Sequence, residues 1–187
     1  MMNEAIKVIK SRRSIRKYRA EQIKESDLQA ILECAIYAPS ATNRQKWHFS
    51  VVQDPKMLQR MVEIIRKNIP VYGSEFIKKR LADNPDYNPF YNAPTVVLIT
   101  APENLPLSQI DCALAAQNMV LAAESLNLGS CIIASSGYLF ATAEGRELGK
   151  ELGVPEGYSH ICAVLLGYKD ENPAAPARNK EVFSYIR

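Results

Sequence analysis

The chain has 187 residues, of which 47% are hydrophobic and 23% charged, a composition that predicts one globular domain over residues 1–187. No apolar run approaches the ~20 residues that span a bilayer, and the first residues lack the apolar stretch of a signal peptide. We therefore expect a cytoplasmic protein without a membrane partner. The net charge of +3 is mild but unevenly distributed.

The four cysteines are widely scattered, each among apolar neighbours. They form no Cys-x-x-Cys pair, and the chain offers only two histidines to join them as metal ligands. We expect them to be small core residues rather than a metal site or a disulfide. They are Cys34, Cys112, Cys131 and Cys162.

Residues 3–11 have the apolar spacing of a first helix. This helix leads into residues 10–19, of which six of ten are Lys or Arg. Three interpretations of the basic segment are open: contact with nucleic acid, a solvated helix end whose cations favour the helix dipole, and a small-anion site. The anion site would consist of Ser14 and the flanking Arg12, Arg13 and Arg16.

A capping box of Ser26 and Gln29 predicts the start of a second, amphipathic helix. It leads to a loop, residues 38–49, that holds the only tryptophan, one of the two histidines and many uncharged hydrogen-bonding side chains. Pro39 cannot continue the helix, so the loop connects a helix to a strand. Two interpretations are open here: a cradle for a polar, planar ligand, or a turn whose side chains satisfy its own backbone.

After a strand at residues 49–53, Asp54-Pro55 predicts the start of a third helix. The pattern then loosens over residues 68–92, which carry three prolines, five aromatic residues and one short possible helix at 75–81. A long irregular segment with aromatic residues inside a compact domain is typical of a functional cover. We predict that residues 68–92 form a substrate lid.

Residues 95–100 form a continuous apolar run of strand length, which predicts a central strand. Ser108 and Asp111 predict a capping box for a long helix over residues 108–127. The middle of this helix is apolar on most faces, so it is either a central core element or part of a subunit interface. Its small alanines permit close approach, which favours a homodimer.

A strand at residues 130–134, a helix at 142–152 and a strand at 160–168 complete the core. The tail, residues 170–187, has a Pro-Ala linker and an apolar end that needs a surface to cover it. Packing on a second subunit would cover it, which again favours a dimer. Helices alternate with roughly four strands, so the fold class is α+β or α/β.

The sequence lacks the patterns of common catalytic sites, since Gly-x-Ser-x-Gly, His-Glu-x-x-His and the glycine-rich nucleotide loops are absent. A dyad of Cys162 and His160 is disfavoured, because residues two apart on a strand are first a packing pair. The remaining option is chemistry carried by a bound cofactor, for which the protein supplies donors, cations and a shaped slot.

Several short motifs occur in order along nearly the whole chain, and together they resemble the FMN-dependent nitroreductase family. The motifs are Arg12-Arg13-Ser14-Ile15-Arg16-Lys17-Tyr18, Ala38-Pro39-Ser40-Ala41-Thr42-Asn43-Arg44-Gln45-Lys46-Trp47, Asn92-Ala93-Pro94, Gly129, Leu152-Gly153-Val154-Pro155-Glu156-Gly157-Tyr158, Leu166-Gly167-Tyr168 and Arg178. Two departures stand out. Lys46 stands where the family often has proline, and the Ser135-Ser136-Gly137 loop is poorer in glycine than in many relatives.

The resemblance implies an α+β, nitroreductase-like fold with a central, mainly antiparallel sheet flanked by helices. It implies an intertwined homodimer with two FMN sites at the subunit interface. The C-terminal arm, residues 170–187, would wrap the partner in an arm exchange. Nucleic acid and membrane are not among the partners that the resemblance implies.

The resemblance also assigns flavin contacts to residues of this chain. Contacts to the FMN phosphate and ribityl chain would come from Arg12, Arg13, Ser14 and Arg178. Arg16 would lie near the N1/O2 edge, where a cation stabilises the reduced flavin. From the other subunit would come Pro39, Ser40, Ala41 and Asn43. The ring would be lined by Ala134, Ser135, Ser136 and Gly137, with a backbone N–H of Ser136 or Gly137 near N5 or O4.

The implied activity is that of an FMN-dependent reductase with a ping-pong mechanism. NADH or NADPH would reduce the flavin, which would then reduce a nitroaromatic, a quinone or a similar small acceptor. The flavin carries the chemistry, so no catalytic side chain and no metal are assigned. Alternatives of the same fold are a dehalogenase, a dehydrogenase and a flavoprotein sensor. A basic nucleic-acid-binding module that uses residues 10–19 is the alternative from another class.

Overall fold

A computed structural model describes residues 3–187. The helices and strands follow the predicted order closely. They are α1 (Glu4–Ser11), α2 (Glu25–Ile36), β1 (His48–Val52), α3 (Pro55–Tyr72), α4 (Glu75–Asp83), β2 (Thr95–Pro102), α5 (Ser108–Ser125), β3 (Gly129–Ile133), α6 (Ala143–Glu151) and β4 (Tyr158–Gly167). Two short 3-10 helices lie at Ala41–Asn43 and Ser135–Ala141. None of the helices in this part of the chain is long and apolar enough to cross a membrane.

The four strands form one sheet in the order β1-β2-β4-β3, and every neighbouring pair is antiparallel. The predicted α+β class with an antiparallel sheet is confirmed. β2 lies inside the sheet and is buried on both faces, which explains its continuous apolar run. Val96 and Leu98 point into a core with α3 and α6, whereas Val97 and Ile99 point into a second core with α2 and α5.

α5 has one face in the core and one face open. Cys112, Ala116 and Met119 are fully buried under the sheet, which confirms α5 as a core element. On the open face Ile110 is 57% exposed and Leu114 is 38% exposed. Apolar side chains of this size are the kind that a second subunit covers.

Both predicted capping boxes were wrong. α2 begins one residue before Ser26, with Lys24 at the N-cap position, and Gln29 instead donates a hydrogen bond to Glu25 at 2.6 Å. α5 begins at Ser108 and has no side-chain cap. In each case the predicted cap residue lies inside the helix, where its hydroxyl cannot meet the free backbone N–H groups of the first turn.

Residues 68–92 are more regular than predicted. α3 continues through Pro70 to Tyr72, and α4 follows at once, so only the stretch from Asn84 onward is irregular. Proline removes one backbone hydrogen bond of the helix, but the buried Ile65 and Ile69 hold the last turns against the core. The lid assignment stays a prediction.

The basic segment after α1 is extended and pairs with the far edge of the sheet. Ser14 bridges to Ser130 of β3, and the N–H of Ile15 donates to the carbonyl of Ser130 at 2.9 Å. Further on, Tyr18 bridges to Lys169 beyond β4. Of the three open interpretations, the solvated helix end therefore holds only in part, because the segment at Ser14 is strand-like and pairs with β3.

The C-terminal tail makes few contacts with its own chain. Residues 170–187 form neither helix nor strand. Phe183 is 69% exposed and Ile186 is 100% exposed. Such apolar exposure agrees with a predicted arm that packs elsewhere, although the arm exchange itself stays a prediction.

Substitution of Gly145 tests the packing of α6. An added Cβ would lie 1.5 Å from the carbonyl oxygen of Leu139, whereas a Cβ at Gly149 would meet only the movable ring of Phe140 at 2.8 Å. Helix propensity alone favours Gly→Ala by up to ~1 kcal/mol at either site. We expect Gly145→Ala to destabilise the fold by about 2 kcal/mol or more, lowering Tm by ~4–8 °C. Gly149→Ala is the control with the smaller loss; equal Tm values for wild type and Gly145→Ala would contradict this packing.

Candidate functional site

Of the three sequence-predicted segments, the basic segment begins to pair near one end of β3, at Ser130, and the other two lie at the opposite end of the sheet. The loop before β1 and the turn after β3 share this end, since His48 pairs with Thr100 and Thr100 pairs with His160. β1 and β3 are the two edge strands, separated by three inter-strand spacings or about 14 Å. Within residues 3–187, no hydrogen bond joins the loop 39–43 to residues 12–16 or 134–137.

A cleft of about 300 Å³ lies beside β3 and beneath α4, and we call it the α4 cleft. It brings together three predicted site residues, Arg16, Ala134 and Ser135. Residues of the predicted lid form its opposite wall, chiefly Arg80, Tyr87 and Tyr91. The site therefore has a largely apolar floor at the end of β3, with Ser135 as its polar side chain, and an aromatic, cationic wall.

The alternation of the extended basic segment decides which cations face the cleft side. Burial raises the pKa of the Cys131 thiol, while Arg16, a hydrogen bond with Ser14, and Arg12 act in the opposite direction. Ser14 pairs with Ser130, the neighbour of Cys131, and Arg16 lines the same cleft as Cys131. In an extended segment Arg12, Ser14 and Arg16 share one side. Arg12 makes no side-chain hydrogen bond or ion pair within residues 3–187, so its donors are available for a phosphate.

Arg13 points away from these three residues. Its Nη1 donates to the backbone carbonyls of Lys10, Ser11 and Arg12 at 2.8, 2.8 and 2.9 Å. These carbonyls belong to the end of α1, so Arg13 caps that helix. Neighbouring residues of an extended segment face opposite sides, which is why Arg13 is separated from Arg12 and Ser14. The structure does not bring Arg13 to the other predicted phosphate contacts, although its Nε is buried without a partner in the described chain.

Some of the polar groups in the loop 38–49 form hydrogen bonds with one another. The hydroxyl of Ser40 accepts from the Gln45 N–H at 3.0 Å, and Asn43 Oδ1 accepts from the Gln45 side chain at 2.8 Å. Thr42, Asn43 and Gln45 have φ angles of 52°, 56° and 50°. Left-handed backbone is costly for a β-branched residue such as Thr42, and such strain concentrates at ligand-holding loops. Of the predicted flavin contacts here, Pro39 and Asn43 are exposed and Ser40 and Ala41 half-buried.

Asp111 fixes this loop and was missed as a site residue. Its carboxylate is 5% exposed and Oδ1 accepts from the Ala41 N–H at 3.0 Å. The residue was predicted to cap α5, but its partner lies 70 positions away along the chain. No sequence signal marks such a pairing. Arg44 adds a second tie, donating from Nη2 to the carbonyl of Pro106 at 3.0 Å.

The turn after β3 is supported by a buried histidine. Ser136 Oγ lies 2.8 Å from His160 Nε2, and a Cβ on Gly137 would come within 3.2 Å of the same ring. The Gly137 N–H donates to the Ala134 carbonyl at 2.9 Å. Of the two backbone N–H groups predicted to approach a flavin, that of Ser136 is therefore the one with no partner within the described chain.

His160 and Cys162 do not form a dyad. The pairing of β2 with β4 shifts register between Ile99 and Thr100, so that His160 contacts Ser136 and Phe140 while Cys162 packs under α5. Among the cysteines, Cys112, Cys131 and Cys162 are buried as predicted. Cys34 is exposed on α2, so its prediction as a core residue was wrong. Its helix position faces away from the sheet.

Arg178 is not brought to the basic segment within one chain. Its side chain is exposed, and its one hydrogen bond in the described chain runs from Nη1 to the Pro176 carbonyl at 2.9 Å. Any role at a phosphate would need the tail to reach another subunit.

Comparison with known proteins identifies the family. A family model described as "Nitroreductase family" matches residues 9–168. The chain belongs to the nitroreductase family. It is 34% identical over 176 residues to a protein of Archaeoglobus fulgidus named NADH dehydrogenase/NAD(P)H nitroreductase, with 91% of this chain and 88% of the relative covered.

Two solved nitroreductases with bound FMN share the fold over their whole length. The enzyme from Bacteroides fragilis NCTC 9343 superposes with a TM-score of 0.92 at 33% identity, covering 100% of both chains. The enzyme from Desulfitobacterium hafniense DCB-2 gives 0.92 at 32% identity, again covering 100% of both. These likenesses confirm the predicted family and the predicted class, a nitroreductase-type oxidoreductase.

Removal of the Asp111 carboxylate tests whether its hydrogen bond with the Ala41 N–H fixes the loop 38–49. A hydrogen bond to a charged group contributes about 1.5–3 kcal/mol, so Asp111→Ala should raise the exchange rate of the Ala41 amide about tenfold or more. Asp111→Asn keeps an acceptor and should have a smaller effect. Hydrogen exchange followed by NMR measures this, with β2 amides as the internal reference. Unchanged exchange at Ala41 in Asp111→Ala would show that the carboxylate does not hold the loop.

His160 gives a pH dependence with a definite sign. Burial lowers the pKa of His160 from 6.5 to about 4. Between these values the unfolded chain binds more protons, so stability is highest above pH 6.5 and falls as the pH is lowered toward 4. Between a pH above 6.5 and a pH below about 4, the protonation of His160 lowers the free energy of unfolding by roughly 3 kcal/mol. His160→Gln should flatten the unfolding free energy against pH in this range, measured by urea denaturation; parallel curves for both proteins would refute the assignment.

Proposed function

We propose that the protein is an FMN-dependent oxidoreductase that uses NADH or NADPH to reduce small aromatic or quinone-like acceptors, nitroaromatics among them. Family membership and the FMN-bound relatives support this proposal. The observation that carries it is the extended segment beside β3, which places Arg12, Ser14 and Arg16 on one side, with Arg16 in the cleft that Ala134 and Ser135 also line. Neither guanidinium group forms an ion pair within 4.0 Å in residues 3–187, and the carboxylate of Glu171 accepts a hydrogen bond from the backbone N–H of Arg16 rather than from its side chain.

The residues present fit an FMN molecule. Arg12 and Ser14 would hold its phosphate and ribityl chain, since a free guanidinium and a hydroxyl are matched donors for phosphate oxygens. Arg16 would lie at the ring edge that gains negative charge on reduction, which a cation stabilises. Bound FMN supplies the redox chemistry, accepting a hydride from the nicotinamide and passing electrons to the acceptor.

The turn after β3 would serve the other edge of the ring. The free N–H of Ser136 would donate a hydrogen bond there, and Ala134 and Ser135 would contact the ring. His160 acts through Ser136, because its hydrogen bond and its packing against Gly137 fix the turn. The neutral His160 ring adds no charge beside the flavin above pH 6.5.

The second wall of the site would come from a second subunit. The loop that holds Pro39, Ser40, Ala41 and Asn43 leads into β1, which lies about 14 Å across the sheet from β3 in the same chain. The open apolar face of α5 and the exposed apolar end of the tail offer an interface for a homodimer. In that dimer the tail, residues 170–187, would cross over, and Arg178 would reach the phosphate site of its partner. Free cysteines and a reduced nicotinamide donor are typical of a cytoplasmic protein.

Neighbouring arginines provide a matched test of the FMN site. Arg12→Ala removes a donor assigned to the phosphate, and we expect FMN affinity to fall by about tenfold or more. Arg13→Ala removes the same charge one position away but only uncaps α1, so FMN affinity should change little. Fluorescence titration of apoprotein with FMN measures both. Equal losses in the two variants would contradict the assigned sides of the segment.

Rapid mixing tests the activity. Under anaerobic conditions, NADH or NADPH should bleach the absorbance of the bound flavin, and a nitroaromatic or quinone added afterwards should restore it. Steady-state data should give the parallel double-reciprocal lines of a ping-pong mechanism. A flavin that neither nicotinamide reduces would instead favour a sensor role, and a protein that binds no FMN would defeat the proposal.

A further inference from the structure

Arg80 occupies an unusual position in the α4 cleft. Its Cζ lies 5.0 Å from the ring centroid of Tyr87 and 5.3 Å from that of Tyr91. The two rings meet edge to face, with centroids 6.4 Å apart and planes at 78°. A guanidinium packed on two aromatic rings has lost much of its side-chain freedom before any ligand arrives.

A second guanidinium reaches the same aromatic pair. The Cζ of Arg16 lies 6.0 Å from the Tyr91 centroid. Neither the Arg80 nor the Arg16 guanidinium forms an ion pair within 4.0 Å in the described chain, and no Asp or Glu lines the cleft. The nearby carboxylate of Glu171 accepts a hydrogen bond from the backbone N–H of Arg16 instead. Elsewhere the chain does pair such cations, as with Lys78 and Glu75 at 3.0 Å on the same helix.

The Tyr87 phenol does not compensate this charge. Burial raises the pKa of Tyr87 to about 12, so Tyr87 is a neutral phenol at physiological pH. The cleft therefore holds two guanidinium groups with no carboxylate among its lining residues, and of the two Arg80 is the more buried. Such an arrangement attracts an anion and rewards one that also offers a planar face.

We infer that Arg80 makes the α4 cleft selective for planar ligands that carry an anionic group. The inference rests on the proposed function, in which Arg16 serves the flavin and Arg80 faces the ligand that reacts with it. Two sources share this chemistry: a carboxylate or sulfonate on an aromatic acceptor, and the phosphates of the nicotinamide donor. Arg80 contacts the ligand and not the reacting atoms, so it sets specificity.

Equilibrium binding tests this without turnover. Benzoate and benzamide have the same size and differ in charge, and calorimetric titration of the FMN-loaded protein compares them. We expect Arg80→Met to weaken benzoate binding about tenfold relative to benzamide. Lys79→Met is the control, because it removes the same charge from an exposed position on the same helix. An unchanged benzoate-to-benzamide ratio in Arg80→Met would overturn a selectivity for anionic acceptors.

Kinetic ratios separate the two sources of anion. If the acceptor is the anionic ligand, Arg80→Met lowers kcat/KM for 4-nitrobenzoate relative to 4-nitrobenzyl alcohol. If the nicotinamide donor is the anionic ligand, Arg80→Met lowers the rate of flavin reduction by NADPH relative to the rate with 1-benzyl-1,4-dihydronicotinamide, which has no phosphate. If Arg80→Met changes neither the kcat/KM ratio, nor the ratio of flavin-reduction rates, nor the benzoate-to-benzamide ratio, the inference is overturned. The proposed reductase activity would be unaffected by that result. A wild type that binds no FMN fails at the proposed function instead.

Discussion

The pairing of Ser14 with Ser130 is the constraint on which the candidate site depends. It keeps the basic segment extended along β3, and an extended backbone sends neighbouring side chains to opposite sides. Arg12, Ser14 and Arg16 thereby share one side of the segment next to β3, while Arg13 on the other side caps α1. A helical continuation of α1 would have distributed the same four residues around a cylinder and left no grouped donors.

The sheet supplies the rigidity behind this arrangement. β2 and β4 are buried between two helical layers, so the strand ends that carry the site cannot shift without disturbing both cores. The same geometry separates the two halves of the predicted flavin slot. The loop held by Asp111 and the turn held by His160 stand on opposite edges of the sheet. In the proposed function a second copy of the chain would complete the slot, with the open face of α5 as part of the contact.

Local sequence patterns predicted most of the fold, because apolar periodicity reports burial directly. Asp54-Pro55 does begin α3, and the run after Pro94 is an inner strand. Patterns failed where a longer-range contact outweighs the local rule. The sequence predicts Asp111 as a helix cap, but its carboxylate accepts a hydrogen bond from the Ala41 N–H. Pro70 is tolerated inside α3 because the buried residues of that helix pack against the core. The sequence motifs indicated which segments form the candidate site. Only the three-dimensional structure shows that Arg13 and Arg12 face opposite sides and that Arg80 and Tyr91 lie in the cleft.

Mixing two defective variants tests the composite site most directly. Arg12→Ala damages the phosphate side, and Asp111→Ala releases the loop that would serve the partner's flavin. If the site spans two subunits, unfolding and refolding the two variants together produces mixed dimers with one intact site each. FMN binding at wild-type affinity should then return to about one quarter of all sites, as random pairing requires. No recovery beyond the average of the separate variants would show that each chain builds its own site and would contradict the account.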